Sequence, residues 1–245
     1  MNHCYDVSKS GYINLLQSQK SQNHGDDKIM VRARKEFLEA GYYNKLRDAI
    51  TSAVVKYCRP GDTILDAGCG ECFYTSDFAD KLSGSADILG IDISKNALAY
   101  AKSRNKSINR AVASIFHIPV ADASCNILLN VFAPYCEAEF LRVLAGQGFY
   151  IQVIPLEDHL WSLKKAVYDK PYKNVTEEYV LNGFELVKSK EIRYKIDLRS
   201  NSDIKNLFMM TPYYYKTSEK DFKKLDLLES LTTEAEFAVL VYRKK

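Results

Sequence analysis

The strongest constraint in this sequence is a nine-residue stretch, Ile64-Leu65-Asp66-Ala67-Gly68-Cys69-Gly70-Glu71-Cys72. A short apolar run enters a turn with two glycines, and the turn enters a run at helical spacing, so the stretch reads as strand, tight loop, helix. Gly68 and Gly70 let the backbone approach a ligand closely, and the helix start behind them offers N–H groups without intrahelical partners. A second apolar run ends in Ile91-Asp92-Ile93, which puts a carboxylate after the second strand. There it can accept both hydroxyls of an adenosine ribose.

The rest of the chain repeats the alternation. Helices are predicted over 28–40, 44–57, 74–82, 94–104, 136–144, 157–169 and 219–230. Strands are predicted over 63–67, 86–93, 111–114, 126–132, 148–154, 184–197 and 236–243. Strand and helix in turn call for a doubly wound, mostly parallel seven-stranded α/β sheet, with the two late strands as an antiparallel edge pair. With 245 residues, 47% of them hydrophobic, the chain fills one large core. No apolar run approaches the roughly 18–20 residues that cross a bilayer, and the first residues carry no apolar signal core. A soluble, cytoplasmic protein without a membrane role is expected.

Two adenosine-containing cofactors compete for such a loop. A dinucleotide fold asks for a third glycine where Phe73 stands. Asp66 before the loop and Glu71 within it suit the sulfonium and ammonium of S-adenosylmethionine better than a pyrophosphate. Cys69-x-x-Cys72 lies inside the loop and no second cysteine pair stands at zinc spacing, so the six cysteines are read as reduced thiols and no metal is expected. The expected cofactor contacts are Asp66 near the ammonium, Gly68, Gly70, Glu71, Thr75 at the helix start, and Asp92 on the ribose.

Further stretches resemble known sequences. Ile64–Thr75, Gly90–Ser94, Val112–Ser114 with Ile118-Pro119, Phe132–Tyr135 and the Gly146-x-Gly148 turn are similar to successive motifs of class I methyltransferases. Lys9–Leu16, Ala33–Ile50, His159–Tyr168 and Met210–Tyr215 resemble, more narrowly, the bacterial guanine-N1 methyltransferases of 23S rRNA, which include tylosin-resistance enzymes. The resemblance implies methyl transfer from S-adenosylmethionine to N1 of a guanine in 23S rRNA, with the rRNA or ribosomal particle as partner. It adds Tyr43 and His159 as cofactor contacts from outside the core motifs, and Ser114 beside the adenine. Phe132-Ala133-Pro134-Tyr135 resembles a motif in which an aromatic stacks on the target base, so Phe132 and Tyr135 are the stacking candidates; the catalytic proton acceptor is not named by it. The family also opens on a four-ligand zinc module, for which His3 and Cys4 are insufficient here.

On this reading residues 1–57 form a mainly helical segment left from the substrate-recognition region and 58–245 the methyl-transfer domain, with a homodimer open and antibiotic resistance a compatible outcome. The net charge of +3 permits a polyanion without demanding one. Arg32, Arg34, Lys35, Lys164 and Lys165 are the candidate phosphate contacts. The competing readings are a small-molecule methyltransferase, a non-catalytic ribosome-assembly factor on the same fold, and a nicotinamide-dependent dehydrogenase.

Overall fold

The computed structural model describes residues 5–16, 26–175 and 179–245. His3 and Cys4 lie outside the described residues. Among the described residues an eight-stranded sheet runs in the order β1-β4-β3-β2-β5-β6-β8-β7. Its strands are β1 (Tyr12–Asn14), β2 (Thr63–Ala67), β3 (Asp87–Asp92), β4 (Ile108–Val112), β5 (Cys125–Val131), β6 (Leu144–Pro155), β7 (Phe184–Leu198) and β8 (Leu231–Lys244). Strands β1 to β6 are parallel, while β8 runs antiparallel to both β6 and β7.

Alternation of apolar residues on both sides of each central strand produces two cores. Ile64, Ile127, Leu129, Ile151, Val153 and Val239 bury on one face, and their chain neighbours Leu65, Leu128, Tyr150, Ala238 and Leu240 bury on the other. A period of two with apolar residues at both phases is what a sheet covered on both sides requires. Helices α1 (Lys28–Glu39), α2 (Asn44–Tyr57), α3 (Phe73–Leu82), α6 (Trp161–Val167) and α7 (Asn201–Met209) contribute to the first core, and α5 (Glu137–Val143) to the second. Chain order reverses at β2, which pairs with β3 on one side and β5 on the other. In open α/β sheets the crevice outside the strand ends at such a reversal is where ligands bind.

Four elements differ from the sequence reading. Strand β1 adds an eighth strand; it is three residues long and mostly polar around its ends, so it carried no alternation signal. Helix α7 was missed although Ser200 caps it by accepting from Asp203 N and Ile204, Leu207 and Phe208 fall at helical spacing. The segment expected as helix 219–230 is a single turn, α8 (Glu219–Phe222), followed by 3-10 turns. The helix expected over 94–104 stops at Tyr100 as α4 (Lys95–Tyr100) and tightens into a 3-10 turn. No helix among the described residues is long and apolar enough to cross a membrane.

Candidate active site

The crevice at the strand reversal is a cleft of about 810 Å³. Its floor is the loop between β2 and α3. Gly68 has φ +93°, and a Cβ added there would stand 2.6 Å from the Cβ of Ala133, so the loop lies directly against the residues that follow β5. Gly70 has φ +55° and its N–H donates to Asp92 Oδ2 at 2.8 Å. The other oxygen of Asp92 accepts from Ser94 N at 2.7 Å. Burial pushes the Asp92 carboxyl up, opposed by these two amides. The carboxylate is thereby fixed at the end of β3 with lone pairs to spare for hydroxyl donors.

Asp66 is the least satisfied group in the cleft. Its Oδ2 accepts from Thr75 Oγ1 at 2.5 Å, while Oδ1 is buried with no partner, and the residue is 2% exposed. Burial raises its pKa to about 7; the Thr75 hydroxyl opposes that shift and the nearby Asp92 charge adds to it. A buried, unpaired carboxylate oxygen at a ligand cleft is a vacancy for a cationic donor. Glu71 is buried beside it with Oε2 unpaired, but its Oε1 is taken by Arg104 at 2.8 Å. Burial raises its pKa, and the Arg104 guanidinium pulls the other way.

Of the residues singled out in the sequence, Tyr43, Asp66, Gly68, Gly70, Glu71, Asp92, Ser114, Phe132 and His159 line the cleft. Thr75 lies one layer below, holding Asp66. Tyr135 is elsewhere: its ring packs on Phe140 and Tyr150 in the second core, at centroid distances of 5.5 and 6.0 Å. The chain turns over between the two aromatics, so only Phe132 remains as a stacking surface. Phe132 has φ +56° and is 46% exposed. A bulky residue in left-handed backbone with its ring left in solvent costs free energy that packing does not return.

His159 is buried and precedes α6, which begins at Trp161 and not at the start of the helix expected over 157–169. Glu236 N donates to its Nδ1 at 3.2 Å, which fixes the proton on Nε2. Nε2–H therefore donates to the Tyr43 hydroxyl oxygen, 3.5 Å away, and the Tyr43 proton is free for an acceptor in the cleft. Burial, and the Lys164 charge after it, lower the His159 pKa to about 3. The ring stays neutral throughout the working pH range and is no proton acceptor for a substrate.

The far wall comes from Met210, Thr211, Pro212, Tyr213 and Tyr215, which follow α7, and from Met30, Arg34 and Leu38 of α1. Met210–Tyr215 carried the family resemblance without an assigned place; the capping pattern at Ser200 was the signal that could have positioned it.

Of the five expected phosphate contacts, Lys165 is exposed and makes no ion pair among the described residues, its Nζ 5.9 Å from the Trp161 ring centre, and the other four are paired or buried. Arg34 lines the cleft and pairs with Asp26 at 2.6 Å; Arg32 pairs with Glu36 at 3.7 Å and Lys35 with Glu39 at 3.4 Å along α1. Lys164 is 1% exposed, because the apolar stripe of α6 faces the core. Its Nζ donates to Asn174 Oδ1 at 2.6 Å and to Tyr172 O at 3.3 Å, and lies 4.8 and 4.9 Å from the ring centres of Tyr213 and Tyr172. Tyr213 OH donates to the same Asn174 oxygen at 3.0 Å, so this buried ammonium ties the cleft wall to the body of the fold. Lys164→Ala should destabilise the protein by about 2–4 kcal/mol and Lys164→Met by about half that, since methionine fills the stem's volume and removes a buried charge. Urea unfolding midpoints check the order of the two, and equal losses would mean that the stem is not held as described.

The residues present fit an adenosyl sulfonium donor: Asp66 Oδ1 awaits a cation, Asp92 awaits hydroxyls, and Gly68 leaves no room for a side chain where the loop meets Ala133. Among the described residues no cluster of three or more His, Cys, Asp or Glu is arranged for a metal ion.

Comparison with known proteins points the same way. A family model described as a methyltransferase domain matches residues 59–196. A Bacillus subtilis (strain 168) protein bearing the provisional name 23S rRNA (guanine-N1)-methyltransferase is 28% identical, the match covering 99% of this chain and 88% of that one. The 23S rRNA (guanine(748)-N1)-methyltransferase of Streptomyces fradiae is 30% identical, over 67% of this chain and 59% of its own. A solved geranyl diphosphate methyltransferase in complex with S-adenosylmethionine superposes with TM-score 0.54 at 12% identity, covering 91% of this chain and 93% of that one, a likeness of fold.

Proposed function

Because this chain belongs to the methyltransferase domain family, and is a class I enzyme that uses S-adenosylmethionine, we propose that it methylates N1 of a guanine in 23S rRNA. The observation that carries the choice of a planar base as acceptor is Phe132: an exposed ring held in left-handed backbone at the carboxyl end of β5, facing the same cleft as Asp66 and Asp92. Strain of this kind persists where function holds it. The two curated relatives described above are named for methylation at N1 of a 23S rRNA guanine, and on this reading the present enzyme works in ribosome maturation in the cytoplasm.

When bound, S-adenosylmethionine supplies an electrophilic methyl group on a cationic sulfur. The chain's own residues do the positioning. Asp66 Oδ1 would hold the ammonium, Asp92 the ribose hydroxyls and Ser114 the adenine, while Tyr43, with His159 behind it, would offer its hydroxyl proton to the methionine carboxylate. Glu71 and Arg104 stiffen the loop between them. Phe132 stacks on the guanine so that N1 points along the line of attack. Orientation of this kind accounts for most of the barrier lowering when the leaving group is already good. N1 must shed its proton as it is methylated, and His159 is not its acceptor, since Nδ1 is occupied by Glu236 N–H and Nε2 is already protonated. In this scheme residues 1–57 serve target recognition and 58–245 carry the transfer.

The test is methyl-labelled cofactor with undermethylated 23S rRNA, followed by mapping. One guanine should carry the label at N1, read as a stop in primer extension because the Watson–Crick edge is blocked. Phe132→Ala should lower kcat/KM for the rRNA by about 5- to 150-fold, the worth of roughly 1–3 kcal/mol of stacking, with cofactor affinity unchanged. Label entering a small-molecule extract instead, or no turnover with any acceptor, would overturn the assignment in favour of a metabolite methyltransferase or an assembly factor.

A further inference from the structure

A second concave surface lies on the same edge of the sheet as the cleft. It is a groove of about 550 Å³ between the α1–α2 turn (Ala40, Gly41, Tyr42, Asn44, Lys45) and the end of β7 (Tyr194 to Asp197) with Arg199. β7 runs parallel to β6, since both are antiparallel to β8, so its last residues emerge at the carboxyl edge where the cleft opens.

The groove and the cleft share a wall. Tyr42 lines the groove and Tyr43 the cleft, and both rings lie 5.0 Å from Phe37. Tyr194 OH donates to Tyr42 O at 2.9 Å. Phe237 stands 5.6 Å from Phe132 on one side and 6.5 Å from Tyr194 on the other, so the stacking ring of the cleft and the aromatic of the groove are no more than about 12 Å apart.

Its charge is as telling as its place. Lys45, Lys195 and Arg199 are exposed, and none of the three makes an ion pair among the described residues, whereas Arg32, Arg34 and Lys35 of the neighbouring helix all do. Lys45 Nζ lies 5.1 Å over the Tyr194 ring, an arrangement that keeps an ammonium at a fixed height while leaving its protons to solvent. The acids nearby are occupied: Asp197 Oδ1 accepts from Thr232 Oγ1 at 2.7 Å, and Asp203 accepts from Ser200 Oγ at 2.7 Å and holds the Tyr42 hydroxyl. Unpaired cations beside tyrosines, in a groove that shares a wall with the cleft, suit a single nucleic-acid strand, with cations on phosphates and rings on bases.

We propose that this groove carries the strand flanking the target guanine, with Lys45 and Arg199 on its phosphates, Lys195 reaching them from the outer face of the edge strand β7, and Tyr42 or Tyr194 beneath a neighbouring base. The proposal rests on the rRNA reading above. It moves the RNA surface away from Arg32, Arg34 and Lys35, which are paired, and from Lys164, which is buried, to the turn and strand end on the other side of Tyr43.

The experiment compares two triple variants of the full chain. One is Lys45→Gln/Lys195→Gln/Arg199→Gln. The other, Lys56→Gln/Lys81→Gln/Lys106→Gln, removes the same charge from the opposite edge of the sheet, where the strands begin. Binding to undermethylated 23S rRNA is measured over a range of salt, with S-adenosylhomocysteine affinity as the control for folding. The groove variant should lower the slope of log K against log salt by about 2 to 3 and raise the KM for rRNA by at least roughly tenfold, with the control variant near wild type. Equal slopes for wild type and groove variant, or equal losses in both variants, would overturn the groove. Wild-type protein that binds S-adenosylhomocysteine yet neither binds nor methylates the rRNA would overturn the substrate assignment itself, and the groove with it.

Discussion

Replacing Asp66 with asparagine should make the free protein more stable and the cofactor complex much weaker. Asp66 is buried with one oxygen unpaired and a pKa raised to about 7. A carboxyl whose folded pKa lies above its unfolded value adds stability at low pH and loses it as pH rises through the folded value. At pH 8 the wild-type protein therefore carries an ionised carboxylate that the fold disfavours, by up to about 4 kcal/mol for a shift of this size. Asparagine keeps an oxygen for Thr75 and removes the charge, so a gain of about 1–3 kcal/mol is expected at pH 8, after allowing for its unpaired amide. For a chain of this length that is several degrees in melting temperature. The advantage should shrink as pH falls below about 7 and vanish only near about pH 4, where the unfolded chain's carboxyl is protonated too. Cofactor affinity should move oppositely: loss of a charge-assisted contact to the ammonium costs about 1.5–3 kcal/mol, or roughly 10- to 150-fold in Kd. For the wild type, S-adenosylhomocysteine should bind more tightly as pH rises from 6 to 8. Calorimetric titration and thermal unfolding at the two pH values check both halves; a variant that is less stable at pH 8 would show that Asp66 is a structural acid.

Gly68→Ala should be the most damaging small change in the molecule. At φ +93° a side chain is strained whatever surrounds it, and here its Cβ would meet the Cβ of Ala133 at 2.6 Å. Strain and forced displacement together come to about 2–4 kcal/mol. The displacement matters more than the energy. Gly68 N and Cys69 N both donate to Ile91 O, and Gly70 N donates to Asp92, so moving the loop moves the ribose acid as well. Cofactor binding should fall by more than about 100-fold. Adding Ala133→Gly should recover the part due to the clash and leave the part due to backbone strain, which a double-mutant cycle separates. No recovery at all would mean that the close approach to the β5 turn is not what the glycine serves.

Cys72 shows how far local sequence reaches and where it stops. Local sequence gives it as a loop cysteine two residues after Gly70, and the structure sets it at φ +59° at the start of α3, a left-handed position that glycine adopts without strain. Phe132 and Tyr135 show the limit. Both are aromatics after a strand, three residues apart, and nothing in their spacing tells which enters the cleft. The turn over Ala133 and Pro134 decides it, sending Phe132 into the cleft and Tyr135 into the core beneath. The lysines are similar: Lys164 reads as one more basic residue on a helix, and the inward face of α6, with Tyr172, Tyr213 and Asn174 around its ammonium, makes it an interior group.

Periodicity and loop chemistry, taken alone, determined the α/β class, the positions of the central strands along the chain, the glycine loop and the two acids that flank it. Each of these follows from residues a few positions apart, through the pleat of a strand or the backbone freedom of a glycine. The tertiary structure decided what depends on residues distant in the chain: Asp66 left with one bare oxygen, His159 fixed in one tautomer by Glu236, Arg34 turned into the cleft by Asp26, and the unpaired cations gathered at the end of β7. Burial and pairing are properties of the assembled surroundings, and a carboxylate or an ammonium acquires its chemistry from what stands within a few ångströms of it rather than from its neighbours in sequence.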